Sequence, residues 1–185
     1  VPLSGAMTVK TPSRIPTSDE ILLPQYLEKI TFSEKGIILI TGPTGSGKST
    51  TMACLLDYIN TNMKRHIITL EDPVEFVYKN KQSLVHQREL SKQFDDFPTG
   101  IKSILREDPD VIVIGEMRDL PTIEAAITLA ETGHLVFSTL HTNDTVQTVE
   151  RIIQSFPSTA RDQIRMQFAL AMKAIISQIL LPRKD

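Results

Sequence analysis

The chain has 185 residues, enough for one α/β domain with a substantial core. Its net charge of −2 gives no strong field toward nucleic acid or anionic lipid. A single cysteine, Cys54, excludes an internal disulfide and fits a reducing compartment.

The first 24 residues carry Pro2, Pro12, Pro16 and Pro24 with little periodicity and read as an extended linker or edge segment. Val1-Pro2-Leu3-Ser4 lacks the basic lead and apolar core of a signal peptide. The start without methionine and the end on Arg183-Lys184-Asp185 suggest a fragment of a longer protein. Ser18-Asp19-Glu20 and Pro24-Gln25-Tyr26 can each open a short helix, the second running to about Ile30. The main domain is expected over 25–185.

Ile37 to Thr41 is apolar and β-branched, as in a strand buried on both faces. Gly42-Pro43-Thr44-Gly45-Ser46-Gly47-Lys48-Ser49 follows, a glycine, four residues and then Gly-Lys-Ser. Thr50 to Ile59 reads as a helix, so the pattern has its required strand and helix. Glycines let the backbone turn tightly around an anion, and the amides and the following helix N-terminus point at phosphate. Lys48 supplies a cation for the outer phosphates of the bound group, and the Ser49 hydroxyl is placed to ligate Mg²⁺. Thr50 completes the phosphate-binding stretch.

Ile67 to Leu70 is a second buried strand ending in Glu71-Asp72-Pro73-Val74-Glu75. Carboxylates at this end lie where open α/β sheets place their chemistry. If this strand neighbours the first, Glu71 faces the γ-phosphate or its water; a solvated Asp-Pro turn is the equal alternative. Leu84-Val85 suggests a short strand after a turn at Lys79-Asn80-Lys81, and Thr99 to Arg106 a helix. Val111-Ile112-Val113-Ile114 is a further buried strand, followed by Gly115 and Glu116. A phosphate loop requires a carboxylate from another strand to hold Mg²⁺ through water or polarise the attacking water, which makes Glu116 a candidate. An ordinary ion pair of Glu116 with Arg118 is the alternative.

Asp119 caps a helix with Pro121 in its first turn, and Gly133 ends it. Leu135 to Leu140 is a strand between His134 and His141; His141 falls on the ligand edge of the sheet and His134 at the opposite end. Asn143 or Asp144 caps a helix reaching about Gln154. Arg161 to Leu181 reads as one long helix with a stripe of Ile164, Phe168, Ala171, Met172, Ile175 and Ile179. The alternation predicts an α/β fold, a mainly parallel sheet flanked by helices.

Together these residues resemble the secretion ATPase superfamily of type II secretion and type IV pili. Gly42 to Ser49 resembles its Walker A loop and Ile68 to Phe76 its acidic box. Leu105 to Asp119 resembles its Walker B segment, with Gly115-Glu116 in place of the usual aspartate, and Ala130 to Asn143 its histidine box. Arg151-Ile152-Ile153, Phe156-Pro157, Ile176-Ser177-Gln178 and Leu180-Leu181-Pro182 are similar to the PilT-like pilus-retraction branch. The extension and secretion branches usually carry a four-cysteine zinc site, which one cysteine cannot build.

The resemblance implies a RecA-like P-loop NTPase core that hydrolyses ATP with Mg²⁺. Glu116, Glu71, His141 and His134 are then the catalytic and γ-phosphate-sensing set, with Ser49 and, through water, Glu116 on the metal. It further implies a homo-hexamer at the cytoplasmic face of the inner membrane, acting on pilin through an inner-membrane platform protein. The family's N-terminal domain and most of its C-terminal helical domain are expected to be missing here. Rivals are a pilus-assembly or type II secretion ATPase and a RecA-like nucleic-acid translocase. The charge, the absence of Trp and only three Tyr speak against the last, so no nucleic acid is expected.

Overall fold

Gly36–Thr41 forms β1, and every residue of it is buried. Such a strand needs neighbours on both edges and layers on both faces. The structure, a computed structural model, describes residues 14–181 and supplies both. In chain order, α1 is Gln25–Ile30, α2 Lys48–Asn62, β2 His66–Glu71, β3 Leu84–Glu89 and α3 Phe97–Ile104. A 3₁₀ turn at Leu105–Glu107 leads to β4, Val111–Ile114. Then come α4 Leu120–Glu131, β5 Leu135–Leu140, α5 Thr145–Gln154, α6 Arg161–Ala171 and β6 Met172–Ser177.

The strands form one sheet in the order β3-β2-β4-β5-β1-β6, with every pairing parallel. Alternate residues of each strand point to opposite faces. Ile37, Leu39, Ile68, Leu70, Ile112 and Ile114 pack under α3 to α6, whereas Ile38, Ile40, Ile67, Val111 and Val113 pack under α2. The expected α/β architecture is present.

Two expectations are corrected. The long helix over 161–181 stops at Ala171, and the chain continues as β6 beside β1. Ile175 faces one core cluster while Ala174 and Ile176 face the other, a period of two that a helical stripe does not have. The open edge of β1 gains a hydrogen-bonded partner this way, and Ile179 is left exposed. Residues 18–22 form turns rather than a helix. The expected linker over 1–24 lies largely outside the described residues.

The sheet order also fails the condition set for Glu71. β2 does not adjoin β1; β5 and β4 lie between them. The strand carrying Glu116 is therefore one place nearer the phosphate loop than the strand carrying Glu71.

Candidate nucleotide site

A cleft of about 580 Å³ opens at the C-terminal edge of the sheet. Thr44, Gly45, Gly47, Lys48, Ser49 and Thr50 line one wall. Glu71, Glu75, Glu116, Arg118 and His141 line the rest.

The loop's shape follows from its glycines. Gly42 has φ +145°, and a Cβ there would lie 2.3 Å from the Gln178 carbonyl oxygen and 2.6 Å from Ser46 Oγ. Gly47 has φ +90° and turns the chain directly into α2. The Pro43 carbonyl accepts the Ser46 amide at 3.2 Å, which closes the loop. Ser46 Oγ is buried and has no hydrogen-bond partner among the described residues.

The start of α2 differs from those of α3, α4 and α5. Asp96, Asp119 and Asp144 cap α3, α4 and α5 through side-chain oxygens that accept the amides of Thr99, Thr122 and Gln147. α2 has no side-chain cap and no acid in its first turn. Its first amides lack intrahelical acceptors and carry the positive end of the helix dipole. This donor set fits a phosphate group, and the cleft in front of it fits a nucleotide.

Lys48 is only 7 % exposed. Its Nζ donates to the carbonyl oxygens of Gly42 and Pro43, each at 2.9 Å. Burial pulls its pKa below the ordinary lysine value, while Glu116 and Glu75 oppose that shift. Lys48 Nζ also lies 3.4 Å from His141 Nδ1, and His141 Nε2 lies 3.4 Å from Glu116 Oε1. A lysine donating to Nδ1 suits the tautomer with its proton on Nε2, facing the carboxylate. Glu116 Oε2 accepts from Arg118 Nε at 2.7 Å, so the ion pair with Arg118 and a place in the cleft coexist.

Glu71 Oε1 accepts from Thr69 Oγ1 at 2.6 Å and from Gln87 Nε2 at 3.0 Å. Burial raises its pKa above the ordinary glutamate value, and these two hydrogen bonds pull it back down. Gly115 allows the two acidic segments to approach: a Cβ there would sit 3.1 Å from the Leu70 carbonyl oxygen.

His134 does not join this group. It precedes β5, and its Nδ1 is 3.1 Å from the Leu129 carbonyl oxygen at the end of α4. The sequence reading missed two residues. Glu75 Oε1 accepts from Ser49 Oγ at 2.9 Å, which puts a third carboxylate beside the expected metal-ligating hydroxyl. Gln178 straps the loop from the other side: its amide donates to the Thr41 carbonyl oxygen and its Nε2 to Thr51 Oγ1, both at 2.8 Å. The acidic run 71–75 hinted at Glu75; Gln178 stood in a segment similar to the retraction branch, with nothing tying it to the phosphate loop. Ser49 with Glu75 and Glu116 is an all-oxygen donor set of the kind that suits Mg²⁺.

Comparison with known proteins identifies the family. The profile of the Type II/IV secretion system protein family matches residues 19–185. A twitching motility protein of Neisseria gonorrhoeae is 49% identical over 94% of this chain and 46% of its own length. The type IV pilus retraction ATPase PilT of Pseudomonas aeruginosa is 44% identical over 97% of this chain and 52% of its own. The crystal structure of the pilus retraction motor PilT with bound ADP superposes with a TM-score of 0.91 at 50% identity, covering 92% of this chain and 50% of that one. The chain thus spans about half the length of these relatives, and its α/β sheet is a RecA-like core. The matched profile, the relatives and the shared fold together establish that the chain belongs to the Type II/IV secretion system protein family.

Proposed function

We propose that this chain is the ATP-hydrolysing core of a type IV pilus retraction motor. The observation that carries the reading is the uncapped start of α2 facing Glu116 across one cleft, with His141 between Lys48 and that carboxylate. The name of the 44% identical relative, a pilus retraction ATPase, supports retraction as the task, and the 49% identical relative is named for twitching motility.

The amides of residues 43–49 cradle the β- and γ-phosphates of ATP, and Lys48 exchanges its contacts with Gly42 and Pro43 for phosphate oxygens. Ser49, Glu75 and, through water, Glu116 would hold Mg²⁺, which when bound neutralises charge on the phosphates. Glu116 orients the attacking water and accepts its proton, because β4 lies nearer β1 than β2 does. Glu71, fixed by Thr69 and Gln87, positions that water from the far side. His141 senses the γ-phosphate through Lys48 and Glu116 and reports its loss toward α5. His134, remote within one subunit, would act across a subunit boundary. The full-length protein works as a homo-hexamer at the cytoplasmic face of the inner membrane and draws out pilin through a platform protein. Among the described residues, no helix is long and apolar enough to cross a membrane.

The test is phosphate release by the full-length protein. Glu116→Gln is expected to bind ATP nearly as wild type while turnover falls by about 10²–10⁴-fold. Undiminished turnover would remove Glu116 from this role.

A further inference from the structure

A second group of ligating side chains lies at the other end of β2. Among the described residues, His66, His86 and Glu107 bring one ligand atom each within 4.8 Å of one another. His66 opens β2, His86 sits in the edge strand β3, and Glu107 ends the 3₁₀ turn before β4. Ile68 pairs with His86 in the sheet, so His66 and His86 fall on the same face, one step apart.

We propose that His66 Nε2, His86 Nδ1 and the Glu107 carboxylate form a site for a divalent transition-metal ion of the Zn²⁺ class. His66 Nδ1 lies 3.1 Å from the Glu107 carbonyl oxygen. Donation to that carbonyl fixes the tautomer and leaves the Nε2 lone pair facing His86, as backbone carbonyls do for metal-bound histidines. The two ring nitrogens, Nε2 and Nδ1, are 3.2 Å apart, with ring planes at 89°. Tetrahedral bonds of about 2.0–2.1 Å place two ligand nitrogens roughly 3.3 Å apart, close to that separation.

Arg88 holds Oε1 of Glu107 and also donates to Ser103 Oγ, which leaves the second carboxylate oxygen for an ion. Glu107 is half-buried, and a carboxylate oxygen of it lies within 4.8 Å of both ring nitrogens. His86 is exposed, so a fourth position is open to water. Two imidazoles select Zn²⁺, Co²⁺, Ni²⁺ or Cu²⁺ over Mg²⁺. The site is separate from the nucleotide cleft: at about 3.3 Å per residue, His66 lies roughly 16 Å along β2 from Glu71. An ion here would clamp the edge strand to β2 and to the turn that enters β4.

The alternative occupant of the same geometry is a proton, in a plain hydrogen bond between the two imidazoles. Titration of Co²⁺, followed by its visible absorption, and of Zn²⁺ against a chromophoric chelator separates the two. The full chain is used with excess Mg²⁺ and ADP to occupy the nucleotide cleft. One equivalent is expected to bind with micromolar or tighter affinity and to raise the melting temperature. His86→Asn and Glu107→Gln are each expected to weaken binding by at least about tenfold. His86→Asn changes an exposed edge position; if it fails to fold by circular dichroism, Glu107→Gln carries the same readout. No cobalt bound at about 100 μM, or unchanged affinity in either folded variant, overturns the proposal.

Discussion

Lys48 and Glu71 illustrate how burial sets the chemistry of single residues in this cleft. Lys48 is buried yet stays within reach of two carbonyl oxygens and two carboxylates, so its charge is solvated by the protein rather than by water. Glu71 is disfavoured as an anion by its burial, while hydrogen bonds from Thr69, Gln87 and the Glu75 backbone oppose the effect. The folded-state pKa therefore lies above the unfolded value of 4.5, and the folded protein binds the proton more tightly. The stabilisation from this proton is complete below 4.5 and is lost as pH rises through the folded pKa. Glu71→Gln keeps an acceptor for Thr69 and Gln87 but cannot titrate. Urea unfolding of both proteins from about pH 4 upward should show the wild type losing stability relative to the variant over that window. Parallel profiles would show that Glu71 is not disfavoured as an anion.

At the scale of elements, the phosphate loop was legible because its chemistry needs eight contiguous residues between a strand and a helix. The helices starting after Asp119 and Asp144 were legible because capping is local. β6 was not, since Ile164, Phe168 and Ala171 keep a helical rhythm up to the point where an unpaired sheet edge takes over. Glu75 on Ser49, Gln178 on the loop, and Glu107 beside two histidines from different strands are contacts between distant segments, which no spacing reports. Asn60 is another such contact. It is fully buried at the end of α2, where its side chain donates to the Lys79 carbonyl oxygen at 2.8 Å and accepts from the Lys81 amide at 3.1 Å. Its own carbonyl accepts the amides of Gln82 and Ser83, so α2 holds the turn that enters β3. Asn60→Ala strands buried partners in that turn and is expected to cost about 1–3 kcal/mol in denaturant unfolding. A loss under about 0.5 kcal/mol would show that the turn is held by other contacts.

At the scale of the whole molecule, the parallel sheet brings the ends of β1, β2, β4 and β5 to one edge, and the cleft joins them. A ligand there ties together segments more than ninety positions apart in sequence, from Lys48 to His141. Binding that favours the folded state must then stabilise the entire sheet, by about 2.7 kcal/mol at a hundredfold excess over Kd. The chain spans about half the length of its curated relatives, and the ring and its pilus belong to the proposal above. The central claim, that main-chain amides and Lys48 grip a nucleotide's phosphate tail, is tested most directly by titrating Mg-ADP into the wild-type chain and Lys48→Ala while following the melting temperature. The account predicts a saturable rise for the wild type and loss of most of it in the variant. An equal rise in both, or none in the wild type, would contradict it.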